Sequence, residues 1–323
     1  MDKNTAIVIV PVYNRRHLIC RCLDSIKEQG YSALQLIVVD NASTDDTATV
    51  VREWINRNPV WKYPARLLTE NRRGAAAARQ HGVQWVASLG MPMDSVIFFF
   101  DSDDTMEPEL VRRAMNEFKT DPATDILCWC ARRHRLDGRI SLSKSNPVNP
   151  GIEHHIVHAF LSTARYASRL GFFLTTGGWN REAKVWDDWE LGVRIMLRSP
   201  RIKVINEVWV NVFSQVDSIT GMNFSSKAGK WEETTDLISK SIALSGRKDR
   251  MHLERAVCYR RAILAAKYNI EGRRDLATDL MLHTLRSPVL SRMHRNVLRA
   301  AYHHTRLGLR GAYTLCTIRG KLL

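Results

Sequence analysis

The run Val96-Ile97-Phe98-Phe99-Phe100, closed by Asp101-Ser102-Asp103-Asp104, constrains the fold of this chain more than any other stretch. It is short, aromatic and partly β-branched, so it reads as a strand buried on both faces rather than as a helix. Three carboxyl groups within four residues of its end repel one another unless they share a cation. In open α/β sheets the ligand crevice lies outside the carboxyl ends of the strands. A hard ion such as Mg²⁺ takes one or two carboxylates there and fills its shell with water and substrate phosphate. An acidic helix start competes with this use, because Asp is favoured before a helix and Pro108 suits a first turn.

Similar runs recur through the first 130 residues. Ala6–Val12 predicts a buried strand, and residues 15–29 predict a helix with Cys22 or Leu23 and Ile26 on one face, ended by Gly30. Leu36–Val39 predicts a second strand ending at Asp40. Thr44 or Asp45 then caps a helix carrying Val50, Val51, Trp54 and Ile55. Arg66–Thr69 is a weaker third strand, Gly74 opens an Ala-rich helix, and Asp125–Cys130 is a fifth strand after Val96–Phe100. Strands alternating with helices imply a largely parallel sheet with right-handed crossovers, an α/β fold.

Beyond Cys130 the pattern changes. Asp137-Gly138 signals a hairpin, Gly177-Gly178 breaks the chain, and residues 186–197 form an acidic, Trp-rich helix. Residues 202–205 and 208–213 read as two strands, and everything from about Lys227 reads as helical. With 323 residues, the expectation is an α/β domain over 1–226 and a helical, basic C-terminal region over 227–323.

The net charge of +15 is concentrated in that second part. From Leu280 on there are eight basic residues and no acidic one. Arg292, Arg295, Arg299, His303, Arg306 and Arg310 recur at steps of three and four, one face of a helix. Such a face suits an anionic membrane surface, and equally the solvated side of a packed helix. The tail has no recognised nucleic-acid module and no interleaved aromatics, so no nucleic-acid partner is expected. No stretch approaches the ~20 apolar residues of a membrane span, and the chain enters its first strand without a signal-peptide pattern. The expected location is the cytoplasm, with peripheral contact at the cytoplasmic face of the membrane where the basic face meets lipid and none where it is only solvated. Six cysteines lack zinc-site spacing and are too few for a disulfide scaffold, so reduced thiols are expected.

Five segments in order resemble glycosyltransferase family 2, the inverting, nucleotide-sugar-dependent enzymes of the GT-A fold, over residues 6 to about 220. They are Ile9-Val10-Pro11-Val12-Tyr13-Asn14; Ile37-Val38-Val39-Asp40-Asn41-Ala42-Ser43-Thr44-Asp45; Asn71-Arg72-Arg73-Gly74 through Ala78-Arg79; Phe100-Asp101-Ser102-Asp103-Asp104; and Gly177-Gly178-Trp179 with Trp186-Asp187-Asp188-Trp189-Glu190-Leu191. The resemblance implies a GT-A (Rossmann-like) sheet flanked by helices, with a C-terminal α-helical basic appendage. It also implies transfer of a single sugar to a glycan or lipid-linked acceptor in bacterial-type surface polysaccharide or glycolipid assembly.

The same resemblance assigns roles residue by residue. Pro11, Tyr13, Asn14, Asp40, Arg79, Asp101 and Ser102 bind the nucleotide, with Tyr13 stacking on the base and Asp40 accepting a uracil-type N3–H, so a UDP-sugar is favoured. Tyr13 has ordinary core packing as its alternative. Arg72 and Arg73 are a phosphate contact or a solvated loop. Asp103, with Asp101, holds Mg²⁺ or Mn²⁺. Asp188 is the catalytic base, and Trp179, Asp187 and Trp189 form the acceptor site. One departure concerns the metal, because Gln215 stands where many relatives carry a His, and a neutral amide is a poor metal ligand.

Two other functions use similar parts. A sugar-1-phosphate nucleotidyltransferase needs a Gly-rich basic loop straight after the first strand, where this chain has Pro-Val-Tyr-Asn. A non-catalytic scaffold at a membrane surface leaves the acids at three separate places without a purpose.

Overall fold

The computed structural model describes residues 5–59, 61–143, 146–215, 223–309 and 311–312. In chain order its elements begin β1 (Ala6–Val12), α1 (Ile19–Lys27), β2 (Leu34–Asp40), α2 (Thr47–Arg57), β3 (Arg66–Thr69) and α3 (Ala75–Ser88). There follow β4 (Val96–Phe99), β5 (Thr105–Met106), α4 (Leu110–Thr120), β6 (Ile126–His134), β7 (Ile140–Leu142), α5 (Ile152–His158), β8 (Tyr166–Arg169) and α6 (Leu170–Thr175). The last are α7 (Asp187–Leu197), β9 (Ile202–Phe213), α8 (Lys230–Leu244), α9 (Arg250–Ile270), α10 (Arg274–Leu285) and α11 (Arg292–Arg306). Contacts gather them into two units. One is Met1–Pro150 with Phe160–Arg181 and Arg198–Asp217; the other is Gly151–Ala159 with Glu182–Leu197 and Ser218–Leu323. The helices α5 and α7, both inside the span 1–226, thus belong by contact to the helical unit.

The first unit is built on one sheet with strand order β3-β2-β1-β4-β8-β6-β9-β5 and β7 paired to β6. β1 and β2 are buried at every position, which is why they read as unbroken apolar runs. Each fully buried Val, Ile or Leu there stabilises the fold by roughly 1.5–3 kcal/mol. β1 runs parallel to β2 and β4, and β2 parallel to β3. Pro11 is tolerated inside this central strand for a geometric reason. Odd-numbered residues of β1 face β4, as the Phe100 N–H to Ile9 carbonyl bond shows, and β4 ends at Phe99. The missing N–H of Pro11 therefore costs no ladder bond. α3 lies against the sheet through Gly82, where a Cβ would stand 2.8 Å from Ile9 Cγ2.

The other half of the sheet departs from the parallel expectation. β8 inserts between β4 and β6 and is antiparallel to both, and β5 is antiparallel to β9. Tyr-Ala-Ser-Arg has neither length nor alternation to announce a strand; its burial comes from the neighbours it joins. The two strands expected over 202–213 are one, β9, whose register against β6 shifts around Cys130. The Asp137-Gly138 hairpin is present, joining β6 to β7. The first helix starts at Ile19, because residues 15–18 form a turn closed by the Arg15 carbonyl.

The helical unit packs α8, α10, α11 and α5 around α9. Its buried side chains include Trp231, Ile238, Ile242, Leu253, Val257, Tyr268 and Leu298. His155 on α5 is fully buried, and its Nε2 donates to the Trp189 carbonyl at 3.1 Å. Burial pushes its pKa down to about 3, so the ring stays neutral. Gly192 on α7 makes that approach possible, since a Cβ there would lie 2.2 Å from His155 Nε2. Ser291 caps α11 in a reciprocal box with His294. Of the expected basic face, Arg292, Arg299, His303 and Arg306 are exposed, while half-buried Arg295 donates to the Leu285 carbonyl at 2.9 Å. Arg310 lies outside the described residues. No helix among the described residues is long and apolar enough to cross a membrane. The five described cysteines are free thiols; Cys316 lies outside the described residues.

Candidate active site

β1, β2 and β4 are mutually parallel, so their carboxyl ends share one edge of the first unit's sheet. That edge gathers Tyr13, Asn14, Asp40, Arg79 and the acidic turn 101–104. Asp40 is only 4% exposed; its Oδ2 accepts from the Ser43 N–H at 3.1 Å. Its Oδ1 is sealed from solvent without a hydrogen-bond partner. A buried carboxylate oxygen left this way is costly, and a ligand N–H is what would complete it. Tyr13, 40% exposed, holds its ring under the Arg73 guanidinium at 4.3 Å. The ring is therefore not core packing. Arg73 is a stacking partner, and Arg72 is held by Glu70 at 3.2 Å instead of standing free for phosphate.

Asn14 has a positive φ of 50° and locks the loops after β1 and β2 together. Its N–H donates to Ser43 Oγ at 3.0 Å and its Oδ1 accepts from the Thr44 N–H at 2.8 Å. Asn41, quoted in the motif but given no role, proves equally central. Its Nδ2 donates to the carbonyls of Glu70 and Arg72, and its Oδ1 accepts from the Gly74 N–H at 2.8 Å. One buried amide thus sets the turn that starts α3.

Arg79 on α3 is 4% exposed and pairs with Asp101 Oδ1 at 2.5 Å, its guanidinium resting 4.5 Å from the Trp179 ring. Ser102 is buried in the turn. Arg15 lies 3.8 Å from Asp103 Oδ2, and Arg21 donates to the Asp103 carbonyl at 2.6 Å. Asp104, without an expected role, is 3% exposed and accepts from the Phe213 N–H at 3.0 Å, which ties the turn to the end of β9. Burial, and then the charges of Asp101 and Asp103, hold its carboxyl well above the usual range. Asp101 and Asp103 stand half-buried beside it, and two carboxylates at a strand end fit a hard cation. Among the described residues no three His, Cys, Asp or Glu side chains form a protein-only cage, so phosphate and water would complete the shell. Gln215 donates to the Phe213 carbonyl at 3.5 Å, a local contact.

Trp179 takes a different place from the expected acceptor wall. It is 2% exposed, edge-on to Phe99 at 5.1 Å, and supports Arg79. Its backbone N–H donates to Gln80 Oε1 at 2.7 Å, and a Cβ on Gly178 would stand 2.3 Å from that same atom. The Gly-Gly-Trp segment therefore braces α3, the helix that carries Arg79, through Gln80, a residue the sequence did not single out.

Asp187 and Asp188 are half-buried at the start of α7, in the helical unit. Trp186, with φ 50°, turns the chain into the helix. Trp189 is 1% exposed, and its Nε1 donates to the Ile156 carbonyl at 3.0 Å. It is a core brace and cannot offer its face to a sugar. The Trp189 N–H donates to Asp188 Oδ1 at 2.8 Å. Arg260 on α9 lies between Trp186 and Trp189, 4.9 and 4.8 Å from their rings. Burial pulls its pKa down to about 10, with Tyr259 and Asp188 acting in the opposite sense. No local pattern around residue 260 announces this cation beside Asp188; only the packing of α9 places it.

The glycosyltransferase YibD of Escherichia coli K12 is 26% identical over 132 residues, 40% of this chain and 36% of that relative. The chain therefore matches little more than a third of that relative's length. Two solved structures share the fold. S. aureus TarS 1-349 in complex with UDP-GlcNAc superposes with a TM-score of 0.67 at 17% identity, covering 94% of this chain and 87% of TarS 1-349. The mannosyltransferase PcManGT from Pyrobaculum calidifontis, with GDP-Man and Mn²⁺, superposes at 0.52 and 19% identity, covering 98% of this chain and 84% of that one. The family model for glycosyl transferase family 2 matches residues 7–182, more than half of the sequence and the whole of the strand-end machinery just described, and the chain belongs to that family.

Proposed function

We propose that this chain is an inverting glycosyltransferase that moves one sugar from a nucleotide-diphosphate sugar, a UDP-sugar in preference, to an acceptor hydroxyl. The observation that carries the proposal is the sealed, unpartnered Oδ1 of Asp40 beside exposed Tyr13. A ring with an N–H next to a carbonyl completes Asp40 while stacking on Tyr13. The structural relatives crystallised with UDP-GlcNAc and with GDP-Man and Mn²⁺ support a nucleotide-sugar donor and a divalent ion. Asp103, with Asp101, would hold Mg²⁺ or Mn²⁺, and the ion would neutralise charge gathering on the departing diphosphate.

The chain's own groups do the rest. Arg79 orients Asp101. Asp188 takes the proton of the acceptor hydroxyl as its oxygen bonds to the anomeric carbon. The bond from that carbon to the diphosphate breaks on the opposite face, so configuration inverts and nucleoside diphosphate leaves. The acceptor class proposed is a glycan or lipid-linked glycan under assembly at the cytoplasmic face of a membrane, as in surface polysaccharide or glycolipid synthesis.

The test is release of nucleoside diphosphate from a panel of UDP- and GDP-sugars, with Mn²⁺ and with EDTA, beside thermal shifts for the same ligands. UDP at 100 times its Kd is expected to add ~2.7 kcal/mol of stability. A chain that releases no nucleoside diphosphate from any donor and gains no stability from UDP overturns the proposal.

Membrane contact would run through the exposed face of α11. Each basic residue near anionic headgroups contributes ~1 kcal/mol. Changing Arg292, Arg299 and Arg306 together to Gln is expected to lower partitioning onto anionic vesicles roughly a hundredfold at low salt, with soluble-acceptor turnover near normal. Equal co-sedimentation of parent and variant leaves α11 as a solvated face only.

A further inference from the structure

Arg165 lies just before β8, and its backbone is locked on both sides. The Ala164 N–H donates to the Phe99 carbonyl at 3.0 Å, and the Arg165 carbonyl accepts from the Trp129 N–H at 3.0 Å. Ala164 holds a φ of 66°, a region non-glycine residues rarely occupy, so the direction of the next residue is imposed by the fold. β8 is antiparallel to β4, so the start of β8 lies at the end of β4, where the acidic turn begins.

The side chain is 6% exposed, and its Nε and Nη2 are sealed from solvent without a hydrogen-bond partner. These two nitrogens form one edge of the guanidinium, the edge that grips a carboxylate or phosphate with two parallel bonds. Among the described residues, the charges bearing on Arg165 are the cation of Arg133 and the thiols of Cys130 and Cys128, with no carboxylate among them. Burial pushes the Cys128 thiol up to about 12, so it is no counter-ion at neutral pH. A buried, unpaired guanidinium is among the costliest arrangements a core can hold.

A second buried donor bears on the same Cys128 thiol as Arg165. Asn146 is 7% exposed, and its amide, whose Nδ2 has no oxygen or nitrogen acceptor, favours the ionised form of that thiol. Its position is built rather than incidental. Where β9 shifts register against β6, Asn206 is turned so that its Oδ1 accepts from the Asn146 N–H at 3.1 Å, while its Nδ2 donates to the Asn146 carbonyl at 3.2 Å. Arg133 bears on both Arg165 and Asp104, which links this cluster to the acidic turn.

We propose that Arg165, with Asn146 and Arg133, is an oxyanion subsite beside the acidic turn, taking a carboxylate or phosphate carried by the sugar substrate in addition to the donor's diphosphate. The subsite rests on the nucleotide-sugar function proposed above. The anion is borne either by the transferred sugar or by the acceptor.

Thermal-shift titration of the full chain with inorganic phosphate reads the subsite directly, with UDP held at saturation and ionic strength balanced with chloride. The parent is expected to gain melting temperature saturably. Arg165→Gln is expected to bind phosphate about tenfold or more weakly and to keep its UDP affinity. Arg165→Lys keeps the charge but loses the two-bond edge, and should fall between them. Two further arms separate the sources. A parent preference for UDP-glucuronate over UDP-glucose that Arg165→Gln loses places the anion on the donor sugar. A preference for glycerol 3-phosphate over glycerol that it loses places the anion on the acceptor. Phosphate binding by Arg165→Gln within twofold of the parent overturns the subsite; should that variant not fold, an unchanged response of Arg165→Lys does the same. Failure of the parent to bind UDP would instead sink the nucleotide-sugar function, leaving the two outcomes distinct.

Discussion

Asp188→Asn is expected to lower sugar transfer by ~10²–10⁴ while leaving UDP affinity within about twofold of the parent. The substitution keeps the shape of the side chain and removes its ability to take a proton. Donor binding should persist, because Tyr13, Asp40 and Arg79 belong to strand ends and a helix of the other unit. Neighbouring helix positions point about 100° apart, so Asp187 cannot serve the same hydroxyl, and Asp187→Asn is expected to act mainly on acceptor KM. Single-turnover rates and UDP titrations of both variants check the assignment. Transfer by Asp188→Asn at the parent rate, or a selective loss of UDP binding, would show that the base lies elsewhere.

Asp103→Ala is expected to abolish measurable transfer and the part of UDP affinity gained on adding Mn²⁺, with the melting temperature close to that of the parent. The physical reason lies in the turn's charge. Asp104 is buried and already strained by Asp101 and Asp103, so removing one acid relieves repulsion within the protein. The contacts Asp103 loses are a 3.8 Å approach to Arg15 and others at a half-buried site, worth about 0–1 kcal/mol as a pair. Calorimetric titration of UDP with and without Mn²⁺ separates the outcomes. A variant that still gains UDP affinity from Mn²⁺ would move the ion away from Asp103.

Both units show why some roles could not be read along the chain. Trp189 and Trp179 read from their motifs as acceptor-site residues, yet each is almost fully buried, bracing Asp188 and Arg79 respectively. An indole beside an acid looks the same in sequence whether its face meets solvent or core. Arg260 and Arg165 are one basic residue among many in the chain. Their significance comes only from Trp186 and Trp189 around the first and from the two sealed nitrogens, Nε and Nη2, that find no partner in the second.

What the sequence determined by itself was the parallel half of the sheet, the carboxyl ends of its strands and the acids standing there. Those features are local: an apolar run of four to seven residues buries itself wherever it pairs, and a charge can follow it only at the end. The tertiary structure decided the antiparallel insertion of β8, the assignment of α5 and α7 to the helical unit, and the partners of every buried polar group. Those depend on contacts between residues far apart in the chain, such as Asn146 with Asn206 or Trp189 with Ile156, and no periodicity within a short window encodes which distant neighbour will close over a side chain.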